Sequence, residues 1–172
     1  MNNIILAGYM GCGKTTVGKR IAELAKYTFA DTDEMIVTQQ GRSISEIFEK
    51  DGEEAFRAME TALLEKMIAD KSDGLVLSTG GGMPVREENR PLLKRLGTVV
   101  YMRVMPDTVY ERIKGDTTRP LLQCGNPPER IKEMITGRTP AYEAAAKIVI
   151  DVDNLTPREA AEEIIKRVEN KA

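Results

Sequence analysis

Residues 8–15 read GYMGCGKT, which is the GxxxxGKT pattern of a phosphate-binding loop. Glycines at 8, 11 and 13 let backbone N–H groups point into one concavity beside a helix N-terminus, where they hold anionic phosphates. The pattern predicts that Lys14 reaches the β- and γ-phosphates of a nucleoside triphosphate and that Thr15 offers its hydroxyl to Mg²⁺. An apolar run at residues 4–7 precedes the loop and a helical pattern follows it, so the context favours nucleotide binding over a plain glycine-rich turn.

Two aspartates, Asp31 and Asp33, stand at the end of the second predicted strand. In a parallel sheet the carboxyl ends of the strands open into the ligand crevice, so both carboxylates are predicted to face the γ-phosphate. One would serve Mg²⁺ and the other an acceptor hydroxyl. An alternative for Asp31 is a cap on the next helix, because Glu34 follows three residues later. Capping does not account for Asp33.

The third predicted strand ends in Ser78 and Thr79 and is followed by three glycines, Gly80, Gly81 and Gly82. Consecutive glycines predict that backbone N–H groups approach a ligand closely, and a plain flexible turn is the alternative. Ser78 stands where a Walker B carboxylate usually lies. The sequence therefore assigns Mg²⁺ to Thr15, Asp31 and the phosphates.

Hydrophobic periodicity predicts an α/β fold that positions these segments. Short apolar strands are predicted at about 3–7, 28–31, 75–78, 98–102 and 148–152, separated by helical stretches. This alternation indicates a parallel sheet covered by helices on both faces. Ser43 with Glu46, and Thr156 with Glu159, are capping-box signatures of helix starts. A chain of 172 residues fits one such domain.

Two excursions interrupt the alternation of strands and helices. Roughly 45 residues separate the second and third strands, more than one crossover helix needs. This insertion, at about 32–62, has breaks at Gly41 and Gly52 and is predicted to bind the second substrate. Residues 114–128, KGDTTRPLLQCGNPP, show no regular apolar period and are interpreted as a mobile lid.

Composition excludes several classes of function. With 25 basic and 27 acidic side chains, the net charge of −2 gives no electrostatic footprint for nucleic acid or for a membrane surface. Two cysteines and no histidine exclude a disulfide scaffold, a histidine metal site and a Ser-His triad. No signal-peptide pattern and no long apolar stretch is found, so we expect a soluble, cytoplasmic protein. The NKxD and DxxG segments of a GTPase switch are absent.

Six segments occur in an order that resembles the shikimate kinases along nearly the whole chain. They are GYMGCGKT at 8, DTD at 31, GRSISEIFEKDGEEAFRAME at 41, STGGG at 78, RIKGDTTRPLL at 112 and RTPAYEAAA at 138. The resemblance implies a P-loop kinase with strand order 2-3-1-4-5 that uses ATP and Mg²⁺ to phosphorylate the 3-hydroxyl of shikimate, in the chorismate and aromatic amino acid pathway. It also implies a cytoplasmic monomer. The residues alone indicate only a small-molecule kinase with a charged acceptor.

The resemblance also implies which residues bind shikimate, a cyclohexene with one carboxylate and three hydroxyls. Arg57 and Arg138 clamp the carboxylate, because a guanidinium offers paired donors. Asp33 accepts hydrogen bonds from the hydroxyls, including the one that attacks phosphorus. Phe48 and Phe56 give the ring an apolar wall. By pattern alone the aromatics are as typical of a helical core, and Arg57 with Glu53 of a surface ion pair.

The implied nucleotide site extends into the lid. Arg119 precedes Pro120, which favours an extended conformation that reaches inward beside Lys14, with a solvated loop arginine as the alternative. Arg112 is similar to an adenine-stacking arginine, although it also suits the C-terminal dipole of its helix. Cys12 is interpreted as a small space-filling residue, with redox sensitivity as the alternative. The implied catalytic set is Lys14, Asp33 and Arg119; the nucleotide-binding set is Gly11, Cys12, Gly13, Lys14, Thr15, Thr16, Arg112, Arg119 and Asp153; the acceptor-binding set is Asp33, Phe48, Phe56, Arg57, Gly80, Gly81, Gly82 and Arg138; the metal set is Thr15 and Asp31.

Another small P-loop kinase, acting on gluconate or on a nucleoside monophosphate, is the remaining alternative. A nucleotide acceptor would bring a dianionic phosphate toward Asp33, which would repel it. A hydroxylated acid suits both the carboxylate and the arginines.

Overall fold

A computed structural model of the chain describes residues 2–118, 120–123 and 125–170. The strands and α-helices in chain order are β1 Asn3–Ala7, α1 Lys14–Ala25, β2 Thr28–Asp31, α2 Thr32–Gln40, α3 Ile44–Asp51, α4 Glu53–Ala69, β3 Leu75–Ser78, α5 Asn89–Leu96, β4 Gly97–Arg103, α6 Pro106–Ile113, α7 Pro127–Ala145, β5 Ile148–Asp151 and α8 Pro157–Asn170. Short 3₁₀ helices occupy Met83–Val85 and Pro120–Gln123. All five predicted strands are confirmed, with β4 one residue longer at each end and β5 one residue shorter.

The strands form one parallel sheet in the order β2-β3-β1-β4-β5, which confirms the predicted order. Asp31 at the end of β2 is in register with Ser78 at the end of β3, and Ser78 is in register with Leu6 of β1. Because the carboxyl ends of parallel strands meet at one edge of a sheet, the loops after these three strands lie together. The two aspartates and the phosphate-binding loop are therefore neighbours.

The central strand β1 is buried on both faces. Ile4 and Leu6 contribute to the apolar cluster that includes side chains of α1, α7 and α8. Ile5 and Ala7 contribute to the opposite cluster, with side chains of α2 to α5. Successive side chains of a strand point to opposite faces, so this continuous apolar run fits a strand with helices on both sides.

Between β2 and β3 the chain forms three helices whose ends follow the predicted signals. Ser43 Oγ accepts from the Glu46 amide at 3.2 Å, and Glu46 Oε2 accepts from the Ser43 amide at 2.8 Å. Gly41 ends α2 with φ 63°, and Gly52 separates α3 from α4 with φ 87°, values that favour glycine. The capping box at Thr156 and Glu159 is confirmed in the same way.

The predicted lid at 114–128 contains the 3₁₀ helix Pro120–Gln123 and the first residues of α7. Arg119, to which the sequence assigns a catalytic role, lies outside the described residues. No described helix is both long enough and apolar enough to cross a membrane.

Asn3 joins three segments at the amino ends of the strands and is a testable source of stability. Its side chain is buried, Nδ2 donates to the carbonyl oxygens of Ser72 and Leu96 at 2.8 and 2.9 Å, and Oδ1 accepts from the Leu75 amide at 2.9 Å. Asn3→Ala would leave three backbone groups, one buried and two partly buried, without their partner, so we expect the free energy of unfolding to fall by about 2–4 kcal/mol. Urea denaturation measures it. Asn2→Ala, which removes one 3.3 Å hydrogen bond to Thr98, should cost much less; equal losses would contradict this account.

Candidate active site

The loop between β1 and α1 has the conformation that its glycines predict. Gly8, Gly11 and Gly13 have φ values of 151°, 76° and 93°. A Cβ at Gly8 would lie 2.8 Å from the carbonyl oxygen of Met102, so the loop excludes a side chain there. Lys14 begins α1, and its Nζ donates to the Gly8 oxygen at 2.7 Å. The ammonium group thus lies against the loop that is predicted to hold phosphates.

A cavity of 320 Å³ brings the loop together with the two aspartates. Its lining includes Lys14, Thr15, Asp31, Asp33 and Ser78. The sequence predicted this juxtaposition from the positions of the strand ends. Hydroxyl and carboxylate oxygens beside an ammonium group are suited to a magnesium-bound polyphosphate.

Asp31 caps α2, as the alternative interpretation proposed. Its Oδ1 accepts from the amides of Asp33 and Glu34 at 2.9 and 3.3 Å. Both cap hydrogen bonds go to Oδ1, so the second oxygen of the carboxylate takes no part in the cap, and Asp31 lines the same cavity as Thr15. Among the described residues no group of three or more His, Cys, Asp or Glu side chains is arranged to hold a metal. Two oxygen ligands fit Mg²⁺, which is bound through a few protein groups, substrate phosphates and water.

Asp33 is a half-buried carboxylate whose surroundings disfavour its charge. Burial raises the pKa of its carboxyl and the charge of Asp31 raises it further, while Lys14 and Arg57 lower it. Its Oδ1 is buried and accepts no hydrogen bond from any described residue. Because Asp33 lines the cavity beside the phosphate-binding loop, its carboxylate is suited to accept a hydrogen bond from a ligand hydroxyl.

Each glycine of the run after β3 lies beside one residue that is predicted to bind the acceptor. A Cβ at Gly80 would lie 2.8 Å from Asp33 Oδ1, and one at Gly81 would lie 3.5 Å from Arg138 Nη1. A Cβ at Gly82 would overlap the guanidinium group of Arg57. The glycines therefore provide the space in which three charged side chains converge on one segment of backbone.

The prediction that the amides of this run approach a ligand is wrong for Gly80. Its N–H donates to Thr32 Oγ1 at 2.9 Å, so the amide already has a partner inside the protein. The run of glycines correctly predicted that other groups approach this backbone closely. At Gly80 these groups are side chains of the protein, those of Asp33 and Glu60.

Arg57 has a partner that the sequence analysis missed. Its Nη2 donates to Glu53 at 3.3 Å, which is the predicted surface pair, but its Nη1 donates to Glu60 Oε2 at 2.9 Å. Glu60 is fully buried, and burial raises the pKa of its carboxyl against the lowering effect of Arg57. The only signal in the sequence was spacing, because residues three apart share a helix face.

Arg57 and Arg138 line a second cavity, of 310 Å³, together with Gly82. Arg138 stands over the ring of Tyr9, with Cζ 5.7 Å from the ring centroid. One turn further along α7, the hydroxyl of Tyr142 donates to the Gly81 oxygen at 2.6 Å. These contacts attach α7 to the glycine run and bring the two arginines to the same cavity, as predicted for a carboxylate clamp.

The two predicted aromatic residues differ in burial. Their ring centroids are 5.1 Å apart, but Phe56 is 4% exposed and belongs to the core, whereas Phe48 is 36% exposed. The core interpretation is therefore correct for Phe56 and wrong for Phe48. An exposed ring that packs on a buried one fits the predicted apolar wall.

A third cavity, of 310 Å³, lies on the other side of the phosphate-binding loop and suits a nucleotide base. Arg112 lines it and donates to the Gly11 oxygen at 2.9 Å. The remaining lining residues are Gly11, Cys12, Gly13, Thr16, Val17, Val152, Leu155, Pro157 and Ala160. Cys12 is buried, in agreement with a space-filling role.

Asp153 does not line this cavity; its Oδ1 accepts from the Met105 amide at 2.9 Å and so fixes the start of α6. Hydrophobic residues of the β5–α8 connection form the wall instead.

Comparison with known proteins agrees with this arrangement. The family model described as shikimate kinase matches residues 10–169. A shikimate kinase of Thermodesulfovibrio yellowstonii is 46% identical over 98% of this chain and 96% of its own, and one of Neisseria gonorrhoeae is 42% identical over 96% and 95%. The solved structure of shikimate kinase from Acinetobacter baumannii in complex with shikimate superimposes with a TM-score of 0.90 at 37% identity, covering 99% of this chain and 94% of that one. This chain belongs to the shikimate kinase family.

Proposed function

We propose that the chain holds shikimate between Asp33 and the pair Arg57 and Arg138 while ATP lies on the phosphate-binding loop. Members of this family transfer the γ-phosphoryl group of ATP to the 3-hydroxyl of shikimate, giving shikimate 3-phosphate and ADP, with Mg²⁺ as cofactor. The assignment of each step to residues of this chain is the proposal.

The convergence of three charged side chains on the run Gly80 to Gly82 carries the proposal. Asp33 lies beside Gly80, Arg138 beside Gly81 and Arg57 beside Gly82. Gly80 and Gly81 line the cavity of the phosphate-binding loop, and Gly82 lines the cavity of the two arginines. A small acid lying along this run would direct its carboxylate to the arginines and a hydroxyl to Asp33. The same hydroxyl would then face the γ-phosphate.

In the proposed reaction the 3-hydroxyl oxygen attacks the γ-phosphorus and the bond from that phosphorus to the ADP oxygen breaks. The hydroxyl proton passes to the carboxylate of Asp33, which lines the cavity beside the phosphate-binding loop. Lys14 offsets the charge that develops on the phosphoryl oxygens. Thr15 and Asp31 would hold Mg²⁺, which neutralises charge on the β- and γ-phosphates when it is bound. Arg119 remains predicted as a second cation for the transferring group.

We further expect one domain that acts as a cytoplasmic monomer, with residues 32–62 binding shikimate and residues 114–128 closing over ATP. A net charge of −2 supports small molecules as its ligands and gives no support to nucleic acid or membrane as a partner. Light scattering of the purified chain measures the oligomeric state.

The choice of acceptor tests the function directly. Purified chain with ATP and Mg²⁺ should release ADP on addition of shikimate, measured in a coupled assay, and should give no comparable response to gluconate or nucleoside monophosphates. Faster turnover of gluconate or of a nucleoside monophosphate would overturn the proposal, because the arginine pair and Asp33 would then serve another acceptor.

The raised pKa of Asp33 predicts an acid limb in the rate. If the ionised carboxylate receives the hydroxyl proton, activity falls as pH drops through the pKa of this group. Because burial raises that pKa above 3.8, kcat/KM for shikimate should begin to fall at a higher pH than a solvated aspartate would give. A profile of kcat/KM from about pH 4 to 9 measures it. A flat profile down to the ordinary pKa of aspartate would exclude Asp33 as the base.

A further inference from the structure

We propose that Arg86 is a third guanidinium group of the acceptor pocket, and that its charge draws the carboxylate of shikimate toward Arg57 and Arg138. The inference rests on the proposed function, because it concerns the acceptor of that same pocket. Arg86 follows the 3₁₀ helix after the glycine run and is not among the acceptor residues predicted from the sequence.

Arg86 lines the same 310 Å³ cavity as Arg57 and Arg138. Its Nη2 donates to Glu54 Oε1 at 2.7 Å, and Glu54 lies on α4 one turn before Arg57. Residues three apart on a helix are about 5–6 Å apart at their Cβ atoms, so Arg86 is anchored beside the predicted clamp.

The charge of Arg86 also acts on the buried carboxyl behind Arg57. Burial raises the pKa of the Glu60 carboxyl, and the charges of both Arg57 and Arg86 lower it again. The partners of Arg86, Glu54 and Glu88, have side chains that are 83% and 56% exposed, whereas the Arg86 side chain is 28% exposed. Water screens the two carboxylates more than the guanidinium group, so they offset only part of its positive charge.

One side-chain nitrogen of Arg86 is buried and has no hydrogen-bond partner. In the described part of the chain, the buried side-chain atoms that hydrogen-bond no protein group are Asp33 Oδ1, Glu60 Oε1 and Arg86 Nη1. Arg86 lines the cavity of the two arginines, whereas Asp33 Oδ1 and Glu60 Oε1 both lie beside Gly80. Buried donors and acceptors are normally paired, so Arg86 keeps one donor without a protein partner at a residue that lines the cavity.

The charged groups around the cavity explain how Arg86 would favour an anionic acceptor. The cavity lining has three guanidinium groups against the carboxylates of Glu53 and Glu54, and Glu60 is buried behind Arg57. Without Arg86, two guanidinium groups would face two carboxylates in the lining, with Glu60 as a third carboxylate behind Arg57, and an anionic acid would meet a less favourable field. Arg86 acts through this field and is therefore a positioning residue.

The test compares KM for shikimate across charge variants at two ionic strengths. Arg86→Gln should raise KM about fivefold or more at low salt, with kcat and KM for ATP nearly unchanged. The ratio of mutant to wild-type KM should fall as the salt concentration rises to about 0.5 M, where the Debye length is about 4 Å. Arg86→Lys should restore most of the loss. Arg20→Gln, which breaks an exposed ion pair with Glu23 on α1, is the matched control and should change none of these values.

The variant Glu54→Gln distinguishes an effect of the Arg86 charge from an effect of the hydrogen bond that ties Arg86 to α4. If Arg86 only ties its segment to α4, this variant breaks the same tie and should also raise KM. If its charge attracts the acceptor, losing the Glu54 carboxylate should lower KM or leave it unchanged. A raised KM in Glu54→Gln, or a salt-independent effect of Arg86→Gln, would overturn the inference while leaving shikimate as the acceptor; no turnover of shikimate by the wild-type chain would instead overturn the proposed function.

Discussion

Asp33→Asn is expected to lower turnover of shikimate by at least ~10²-fold, the low end of the loss when a general base is removed. Asparagine has nearly the same shape and still offers one oxygen to the attacking hydroxyl, but it cannot take the proton. Steady-state kinetics in the ADP-release assay measure kcat. ATP affinity should change little, because the loop that is predicted to hold ATP does not depend on this carboxylate. Wild-type turnover in the variant would remove Asp33 from the mechanism.

The same variant should fold at least as stably as the parent chain at neutral pH. The folded-state pKa of Asp33 is raised, so the group favours folding at low pH and loses that contribution as pH rises through the folded pKa. Replacing Asp33 with a neutral amide removes the free-energy cost of burying a charged carboxylate at neutral pH. Thermal melts of both proteins check it, with Asp70→Asn, an exposed aspartate after α4, as the matched control. A marked loss of stability in Asp33→Asn would mean that the kinetic loss reflects misfolding.

The parts of the fold that sequence predicts well are those fixed by local pattern. The strands, the capping boxes at Ser43 and Thr156, and the breaks at Gly41 and Gly52 each follow from a few neighbouring residues. Convergence of Asp31 and Asp33 on the loop at Lys14 follows from one topological rule, that parallel strands end at the same edge.

The parts that sequence missed depend on contacts between distant segments. In the sequence, Glu60 is one of several polar residues on α4. In the structure its side chain is fully buried beside Gly80, which makes it a buried partner of Arg57. The amide of Gly80 is bonded to Thr32, which no pattern around the glycine run indicates. Asp153 was predicted to bind the nucleotide, but its Oδ1 accepts from the Met105 amide at the start of α6, a contact between distant segments that the sequence does not indicate.

Arg57→Ala is expected to raise KM for shikimate by about 30-fold or more, equivalent to ~2 kcal/mol of lost charge-assisted hydrogen bonds, while KM for ATP changes little. Arg57→Lys should recover only part of the loss, because an ammonium group cannot pair with both carboxylate oxygens in the planar geometry of a guanidinium. Initial-rate measurements with each substrate varied in turn supply both constants. Equal weakening toward shikimate and ATP would point to a general structural defect.

A structural defect is itself expected in Arg57→Ala, and Glu60 provides the means to separate it from the binding defect. Without Arg57 the buried Glu60 carboxylate loses its 2.9 Å partner, and breaking a buried pair in this way costs about 3–5 kcal/mol. Because burial already raises the pKa of Glu60, the loss should shrink as pH falls and the carboxyl becomes neutral. The double variant Arg57→Ala with Glu60→Gln should therefore regain stability at neutral pH in urea denaturation and still bind shikimate weakly. Recovery of shikimate binding together with stability would show that Arg57 serves the fold alone; recovery of stability without binding would leave the acceptor's carboxylate as the second partner of this arginine.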